Sequence, residues 1–384
     1  MFNRIGPWLI LLACSLFTSR AASAQTWIPL TPTGSPPSTY SQPRANYDST
    51  NNRLIVLLQG NPSVESLDTE VWVLTNANGL GPAPAWVQLQ PSGTAPAVVD
   101  TASAVYDHAT NQLIVYGGCW AFCSPALDDV WVLSNANGLG GTPQWSQSSP
   151  SPPEARSSQS AVYDQNKKLL IAFGGDLAFF GTDQNDTRVL SRANSSLPTW
   201  STLSTAGETP GVRDGQSAVY DIGHNVMTIF AGSDGISTCC PYDIVNYNDV
   251  WTLSNANGQG STSPTWTQLS PLGTPPPPRT GHSAVYDSAD NRMLIFGGES
   301  WSNSTQSWTV LGDLWELSNA NGLGEEPPKW RQIGQLGTPP GANSSQGVGF
   351  DRANQRMIIV GGEDIDQLPD INVFVLDLHR HSDH

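Results

Sequence analysis

Residues 279–298 read RTGHSAVYDSADNRMLIFGG, and after a variable stretch residues 312–334 read GDLWELSNANGLGEEPPKWRQIG. The same marks return along the whole chain: a Tyr-Asp pair, a Gly-Gly pair, an Asp-Val-Trp-type triplet, an Asn-Ala-Asn-Gly turn and a closing Trp. The first mark falls at Tyr47-Asp48, Tyr106-Asp107, Tyr163-Asp164, Tyr220-Asp221 and Tyr286-Asp287, and as Phe350-Asp351. Successive Tyr or Phe positions are 59, 57, 57, 66 and 64 residues apart, by subtraction of their numbers. A period this long and regular decides architecture before any local motif does.

Each repeat parses into four strands, a to d. Strand a is Ser283-Ala284-Val285-Tyr286, small and apolar as crowding near a ring axis favours. Strand b is Met293-Leu294-Ile295-Phe296, a continuous apolar run that suits burial on both faces. Strand c is Asp313 to Leu317. Strand d is Trp330-Arg331-Gln332-Ile333, with the alternation of a half-wet outer strand. Asn319-Ala320-Asn321-Gly322 is turn chemistry between c and d, because Asn and Gly tolerate positive φ. Thr26-Trp27-Ile28-Pro29-Leu30 matches strand d but precedes the first repeat, whereas the sixth repeat stops after its third strand, Asn372 to Leu376. The N-terminal strand is therefore predicted to complete the last repeat and close a ring, which removes two open sheet edges.

Charged residues make up 13% of the chain, with 36 Gly and 30 Pro, a profile of short strands and many turns. The net charge is −16 and no basic stripe appears, which argues against nucleic acid and against an anionic membrane surface. The N-terminus reads as an export signal over residues 1–24: Arg4, an apolar core from Trp8 to Phe17, and Ala22-Ser23-Ala24 before Gln25. That core is too short for a stable span, so no membrane insertion is expected. The expected location is secreted, periplasmic or cell-surface, with a weaker lipoprotein alternative at Cys14. Residues 25–378 form the repeat domain and 379–384 a flexible tail. The remaining cysteines, Cys119, Cys123, Cys239 and Cys240, are even in number, and the simplest pairing is within each loop. Their spacing fits no common zinc site, and neither metal nor cofactor is expected.

These marks resemble the kelch repeat: Arg279-Thr280-Gly281-His282-Ser283, Gly297-Gly298, the spaced Tyr286 and the closing Trp330. The resemblance implies an all-β, six-bladed β-propeller with four antiparallel strands per blade. Departures are Gln59-Gly60 and Ala231-Gly232 in place of the double glycine, and Arg188-Val189-Leu190 where other repeats carry the c-strand Trp.

In an up-and-down blade the d–a and b–c loops share one face. The b–c loops vary most, over 61–69, 119–128, 176–186, 233–248, 299–312 and 363–371, so that face is the expected binding face. It displays Trp120, Trp301 and Trp308, which no repeat position explains. At the mouth of the channel the alignment places Arg156, Arg213 and Arg279, with Gln159, Gln216, His282 and Gln346 three residues on. Asp176, Glu299 and Glu363 follow the glycine pairs. Arg forks onto carboxylates and amides read hydroxyls, so this set predicts an anionic or hydroxyl-rich ligand. The competing reading is Arg–carboxylate pairing within the framework. His282, Glu299 and Glu363 are the candidate catalytic groups, and no nucleophile elbow, phosphate loop or HExxH motif appears. The leading expectation is a monomeric recognition protein for a glycan or protein ligand. The alternatives are a carbohydrate-active enzyme, as bacterial sialic-acid mutarotases are exported kelch propellers, and a structural module of the cell envelope.

Overall fold

The computed structural model describes residues 25–37, 42–59, 69–97, 99–119, 126–150, 154–177, 183–235, 243–364 and 371–379. The expected signal segment and residues 380–384 lie outside them. The ring comprises six blades with no helix among the described residues. Blade 1 is Arg44–Asp48, Arg53–Gln59, Thr69–Thr75 and Ala85–Gln88. Blade 2 is Ser103–Asp107, Gln112–Tyr116, Val130–Ser134 and Gln144–Ser148. Blade 3 is Ser160–Asp164, Leu169–Phe173, Thr187–Ser191 and Thr199–Thr202. Blade 4 is Ser217–Asp221, Val226–Phe230, Val250–Ser254 and Thr265–Leu269. Blade 5 is Ser283–Asp287, Arg292–Phe296, Leu314–Ser318 and Lys329–Gln332. Blade 6 is Gly347–Asp351, Arg356–Val360 and Val373–Asp377, with Gln25–Leu30 as its fourth strand.

Ring closure follows the sequence expectation. Gln25–Leu30 runs antiparallel to Val373–Asp377, pairing Trp27 with Leu376 and Leu30 with Val373. Trp27 is almost wholly buried between blades 5 and 6, where its ring meets Phe296 edge-on at 5.2 Å. The hydrophobic interior is divided into six clusters, each shared by two adjacent blades. This explains the apolar b strands: Arg292–Phe296 is buried at every position because one neighbouring blade covers each face.

The repeated polar words fasten blade to blade on the face of the a–b and c–d turns. The second Asn of each c–d turn donates to the Tyr-Asp carboxylate of the preceding blade. Asn137 Nδ2 reaches Asp48 Oδ2 at 2.7 Å, Asn257 reaches Asp164 at 2.8 Å, and Asn321 reaches Asp221 at 2.7 Å. Asn194 reaches Asp107 at 3.1 Å, and Asn78 of blade 1 reaches Asp351 of blade 6 at 2.7 Å. The Ala between the two Asn fills the interblade core, as at Ala136 and Ala320. Blade 6 has no c–d turn of its own, so Asp287 takes Arg292 Nε instead, at 3.0 Å. Blade 3 has Lys168 where the others have Asn or Gln, and its Nζ meets both oxygens of Asp107 at 2.9 Å.

A further repeated tie joins the blades at their outer strands. After strand d the chain bridges in parallel to strand d of the next blade, at Thr33–Ala85, Ser92–Gln144, Ala206–Thr265 and Leu272–Lys329. Between blades 5 and 6 this contact becomes a fifth strand, Gln335–Gly337, against Gln25–Trp27. A glycine follows each contact. A Cβ on Gly273 would meet the Trp330 carbonyl at 2.6 Å, and φ there is +85°, so only glycine fits without displacement.

Two stability measurements test these joints. Asn137→Ala leaves the buried Asp48 carboxylate short of a donor and is expected to cost about 1–3 kcal/mol in a denaturant melt. Trp27→Ala empties the closure core and is expected to cost about 3–5 kcal/mol. An unchanged melt for Trp27→Ala would reject closure through the N-terminal strand.

Candidate functional site

The d–a and b–c segments meet on one face, because each d–a lead pairs with a b–c loop. The backbone bridges are Ser157–Asp176, Asp214–Ser233, Thr280–Glu299 and Ser344–Glu363. Inside this collar five equivalent residues take left-handed backbone: Thr101, Ser158, Gly215, Gly281 and Ser345. They are linked around the channel by Ser158 N to Thr101 O (3.0 Å), Gly215 N to Ser158 O (3.1 Å), Gly281 N to Gly215 O (3.0 Å) and Ser345 N to Gly281 O (2.7 Å). Blade 1 carries Gln42-Pro43 at this level, and no equivalent bond joins it to the ring among the described residues.

A cavity of about 730 Å³ opens at this mouth. Its lining brings together Gln159, Gln216, His282 and Gln346, as the repeat alignment predicts, along with Glu299, Trp301 and Trp308. The glutamines are also framework groups. Gln159 Nε2 donates to Tyr116 O at 2.9 Å and Gln216 Nε2 to Phe173 O at 2.8 Å, each reaching back to the preceding blade. Gln346 Nε2 donates to Asn343 O at 2.7 Å, and its Oε1 accepts from Ser283 Oγ at 2.9 Å.

The three predicted mouth arginines lie elsewhere. Arg156, Arg213 and Arg279 are buried and do not line the cavity. Each forks onto the Asp that opens strand c of its own blade: Asp186 at 2.8 and 3.2 Å, Asp249 at 2.6 and 3.0 Å, Asp313 at 2.7 and 2.9 Å. Arg213 also stacks on Tyr247, 4.1 Å from the ring centroid. The framework reading therefore holds for their side chains. The Asp also serves the c-strand indole, as Trp315 Nε1 donates to Asp313 at 2.6 Å, and in blade 3 Arg188 stands in the Trp place and binds Asp186. Glu363 does not line the cavity; burial raises its pKa, then Asp100 adds to the rise while Arg44 opposes it.

Trp301 and Trp308 face each other across a hairpin, Glu299–Ser302 with Ser307–Val310, with ring centroids 5.3 Å apart. The hairpin leans on blade 4: Asn246 Nδ2 donates to Trp301 O at 3.0 Å and Asn303 Nδ2 to Asp243 at 3.0 Å. Trp120, Cys123, Cys239 and Cys240 lie outside the described residues; Cys119 is buried.

His282 stands where blades 3, 4 and 6 carry Gln. Its Nε2 meets Ser217 Oγ at 2.7 Å, and its ring lies edge-on to Phe230 at 5.2 Å. Burial first, then Arg279, lowers its pKa to about 3. Glu299 moves the other way: burial, reinforced by Glu363, raises its carboxyl to about 7.

Sequence reading missed Arg44, Asp183 and Asp214, all in the lining. Arg44 left a signal. Strand a begins with Ser103, Ser160, Ser217, Ser283 or Gly347 in the other blades, and with Arg44 in blade 1. Asp183 and Asp214 are set in place by loop folding and left none. Both carboxyls are shifted up, chiefly by burial and then by neighbouring carboxylates, against the pull of donors from Gly235 N (2.8 Å) and Ser233 Oγ (2.9 Å).

Fold and ties together define a kelch-type six-bladed β-propeller. The profile of the KLHDC2/KLHL20/DRC7 Kelch-repeats domain matches residues 165–383, more than half of the chain, and the chain belongs to the kelch-repeat family. It is 29% identical over 240 residues to Adagio-like protein 3 of Oryza sativa subsp. japonica, covering 60% of this chain and 33% of that protein. It is 25% identical over 311 residues to Acyl-CoA-binding domain-containing protein 4 of Arabidopsis thaliana, covering 78% and 40%. The chain thus spans well under half of these relatives. Among solved structures, that of YjhT superposes with a TM-score of 0.62 at 14% identity, covering 90% of this chain and 95% of that one. A protein of unknown function from Dyadobacter fermentans superposes at 0.53 and 12% identity, covering 92% and 98%. These likenesses concern the fold.

The two shifted groups give stability slopes of opposite sign. The unfolded chain protonates His282 near 6.5, well before the folded state does near 3, so stability is full above about 6.5 and falls as pH drops through that window. Glu299 titrates near 4.5 unfolded and near 7 folded, so its contribution is full below about 4.5 and falls as pH rises through 7. Glu299→Gln is expected to raise the Tm at pH 8 and leave it nearly unchanged at pH 4. His282→Gln is expected to narrow the loss of Tm between pH 7 and pH 4, followed by circular dichroism.

Proposed function

We propose that this protein is an exported recognition propeller that binds a hydroxyl-rich saccharide at the channel mouth. The kelch fold is consistent with a recognition role, and the saccharide is our reading of the site. The Trp301–Trp308 hairpin carries it: an aromatic pair on the wall of a cavity whose lining also offers Ser and Thr hydroxyls, amides and carboxylates among small apolar side chains. Aromatic faces hold the apolar side of a sugar ring, while amides and carboxylates take its hydroxyls. Export rests on the Ala22-Ser23-Ala24 signal, and the even number of cysteines beyond it, Cys119, Cys123, Cys239 and Cys240, accords with it.

A second reading is favoured by one observation. Glu299 lines the cavity and is held protonated close to neutrality, as a general acid acting on a sugar requires. His282 suits this role poorly, because burial keeps its ring neutral and Ser217 occupies Nε2.

A glycan array followed by titration calorimetry tests the binding reading. Trp301→Ala and Trp308→Ala are each expected to weaken binding at least tenfold in folded protein; binding indifferent to both would reject the site. Anomer exchange of free sugars, followed by NMR with and without Glu299→Gln, tests the enzymatic reading. Exchange no faster than in buffer would dismiss it.

A further inference from the structure

The chain contains four Asn-Gly dipeptides, at Asn78, Asn137, Asn257 and Asn321, and all four are interblade ties. Asn-Gly is the dipeptide most prone to lose its side-chain amide, because glycine has no side chain to obstruct its own backbone nitrogen. That nitrogen gives up its proton and attacks Cγ of the Asn. A new N–C bond closes a succinimide ring, the Cγ–Nδ2 bond breaks, and ammonia leaves carrying the proton. Water then opens the ring to aspartate or isoaspartate, and no other reactant is needed.

In the closed ring both reacting groups are engaged. The nitrogens of Gly79, Gly138, Gly258 and Gly322 donate to the carbonyls of Asn76, Asn135, Asn255 and Asn319 at 2.8–3.0 Å. Each Asn amide is held at three points. Asn257 Nδ2 donates to Asp164 Oδ2 at 2.8 Å, and its Oδ1 accepts from Asn225 Nδ2 at 2.8 Å and Gln259 N at 2.9 Å. Asn78, Asn137 and Asn321 repeat this pattern. All four are more than nine-tenths buried.

Conversion turns a tie into a repulsion. At position 257 it would set a second carboxylate against Asp164 at hydrogen-bond distance inside a buried joint. Strand b of blade 3 begins there with Leu169, whereas Arg53 and Arg356 reach the turn carbonyl in two other joints.

The joints are not guarded alike. A Leu from the outer edge of the preceding blade covers each glycine: Leu89 over Gly138, Leu203 over Gly258, Leu269 over Gly322 and Leu30 over Gly79. The first three stand at the ends of outer strands that a c–d turn joins to their own blades. Leu30 ends a strand that reaches blade 6 only through pairing and packing.

We infer that the Asn-Gly ties are latent deamidation sites, sealed while the ring is closed, that Asn78 reacts first, and that each conversion stops its joint from closing again. The inference does not depend on the ligand.

The full chain, native and in urea, is incubated in mildly alkaline buffer, and peptide mass mapping follows the amide lost at each site. The four sites are expected to react at similar rates in urea and at least tenfold more slowly in native protein, with Asn78 ahead of the others. Leu30→Ala is expected to speed loss at Asn78 at least tenfold and leave Asn257 unchanged, because opening is local. Asn257→Asp is expected to lower the Tm further than Asn257→Ala, which removes the donor without adding a charge. Equal rates in native and unfolded chains would overturn the sealing. Leu30→Ala acting on all four sites alike, or Asn78 lagging in the unaltered protein, would overturn the order. Equal Tm for the two variants at position 257 would overturn the one-way step. Circular dichroism checks folding, and if Leu30→Ala does not fold, the order of loss in the unaltered protein decides.

Discussion

The structure depends on a buried carboxylate that one blade owns and the next must satisfy. Each Tyr-Asp carboxylate sits at the end of strand a, out of water, and takes its donor from an adjacent blade in five of six cases. A buried charge without donors is strongly unfavourable, so a blade is incomplete until its neighbour is folded. The hydrophobic clusters obey the same logic, since each lies between two blades. Cooperativity around the ring follows from both.

The departures show which features of the repeat are chemical requirements. Where the turn Asn is missing, because blade 6 takes its outer strand from the N-terminal segment, Arg292 neutralises Asp287. Where blade 3 has Lys168 in place of the a–b turn Asn, its ammonium joins Asn194 on Asp107. Where blade 1 lacks the first glycine, Gln59 Oε1 accepts from Val99 N at 2.8 Å and holds the next blade by its side chain. The donor to the carboxylate or the tie to the neighbour is kept, and the residue that supplies it changes.

The same economy of positions shapes the ligand face. Arg156, Arg213 and Arg279 belong to the leads that build the ligand face, yet each guanidinium is buried on a fork partner beside strand c of its own blade. Their pairing holds the b-strand end as well, through Gly174, Ala231 and Gly297 carbonyls. Arg44 stands four residues further along its repeat, at the first position of strand a, and lines the cavity instead. Charge type alone did not distinguish these arginines; the local partner did.

Blade number, strand order and the N-terminal closing strand were legible in the sequence, because each is written in spacing and in apolar periodicity, which act locally. The glutamine and histidine ring was legible for a related reason: alignment of repeats places equivalent residues at one level of a symmetric ring. Trp301 and Trp308 stood out by lying off the repeat positions, and only the folded hairpin paired them. The parallel tie after strand d was present in the sequence as a recurrent glycine, at Gly34, Gly93, Gly207, Gly273 and Gly337, but its meaning lies in a Trp carbonyl of the next blade. Tertiary structure alone decided which arginines face the cavity and which carboxylates converge there. Pairing depends on distances between segments far apart in sequence, and on how far burial penalises each charge, and neither quantity is written along the chain.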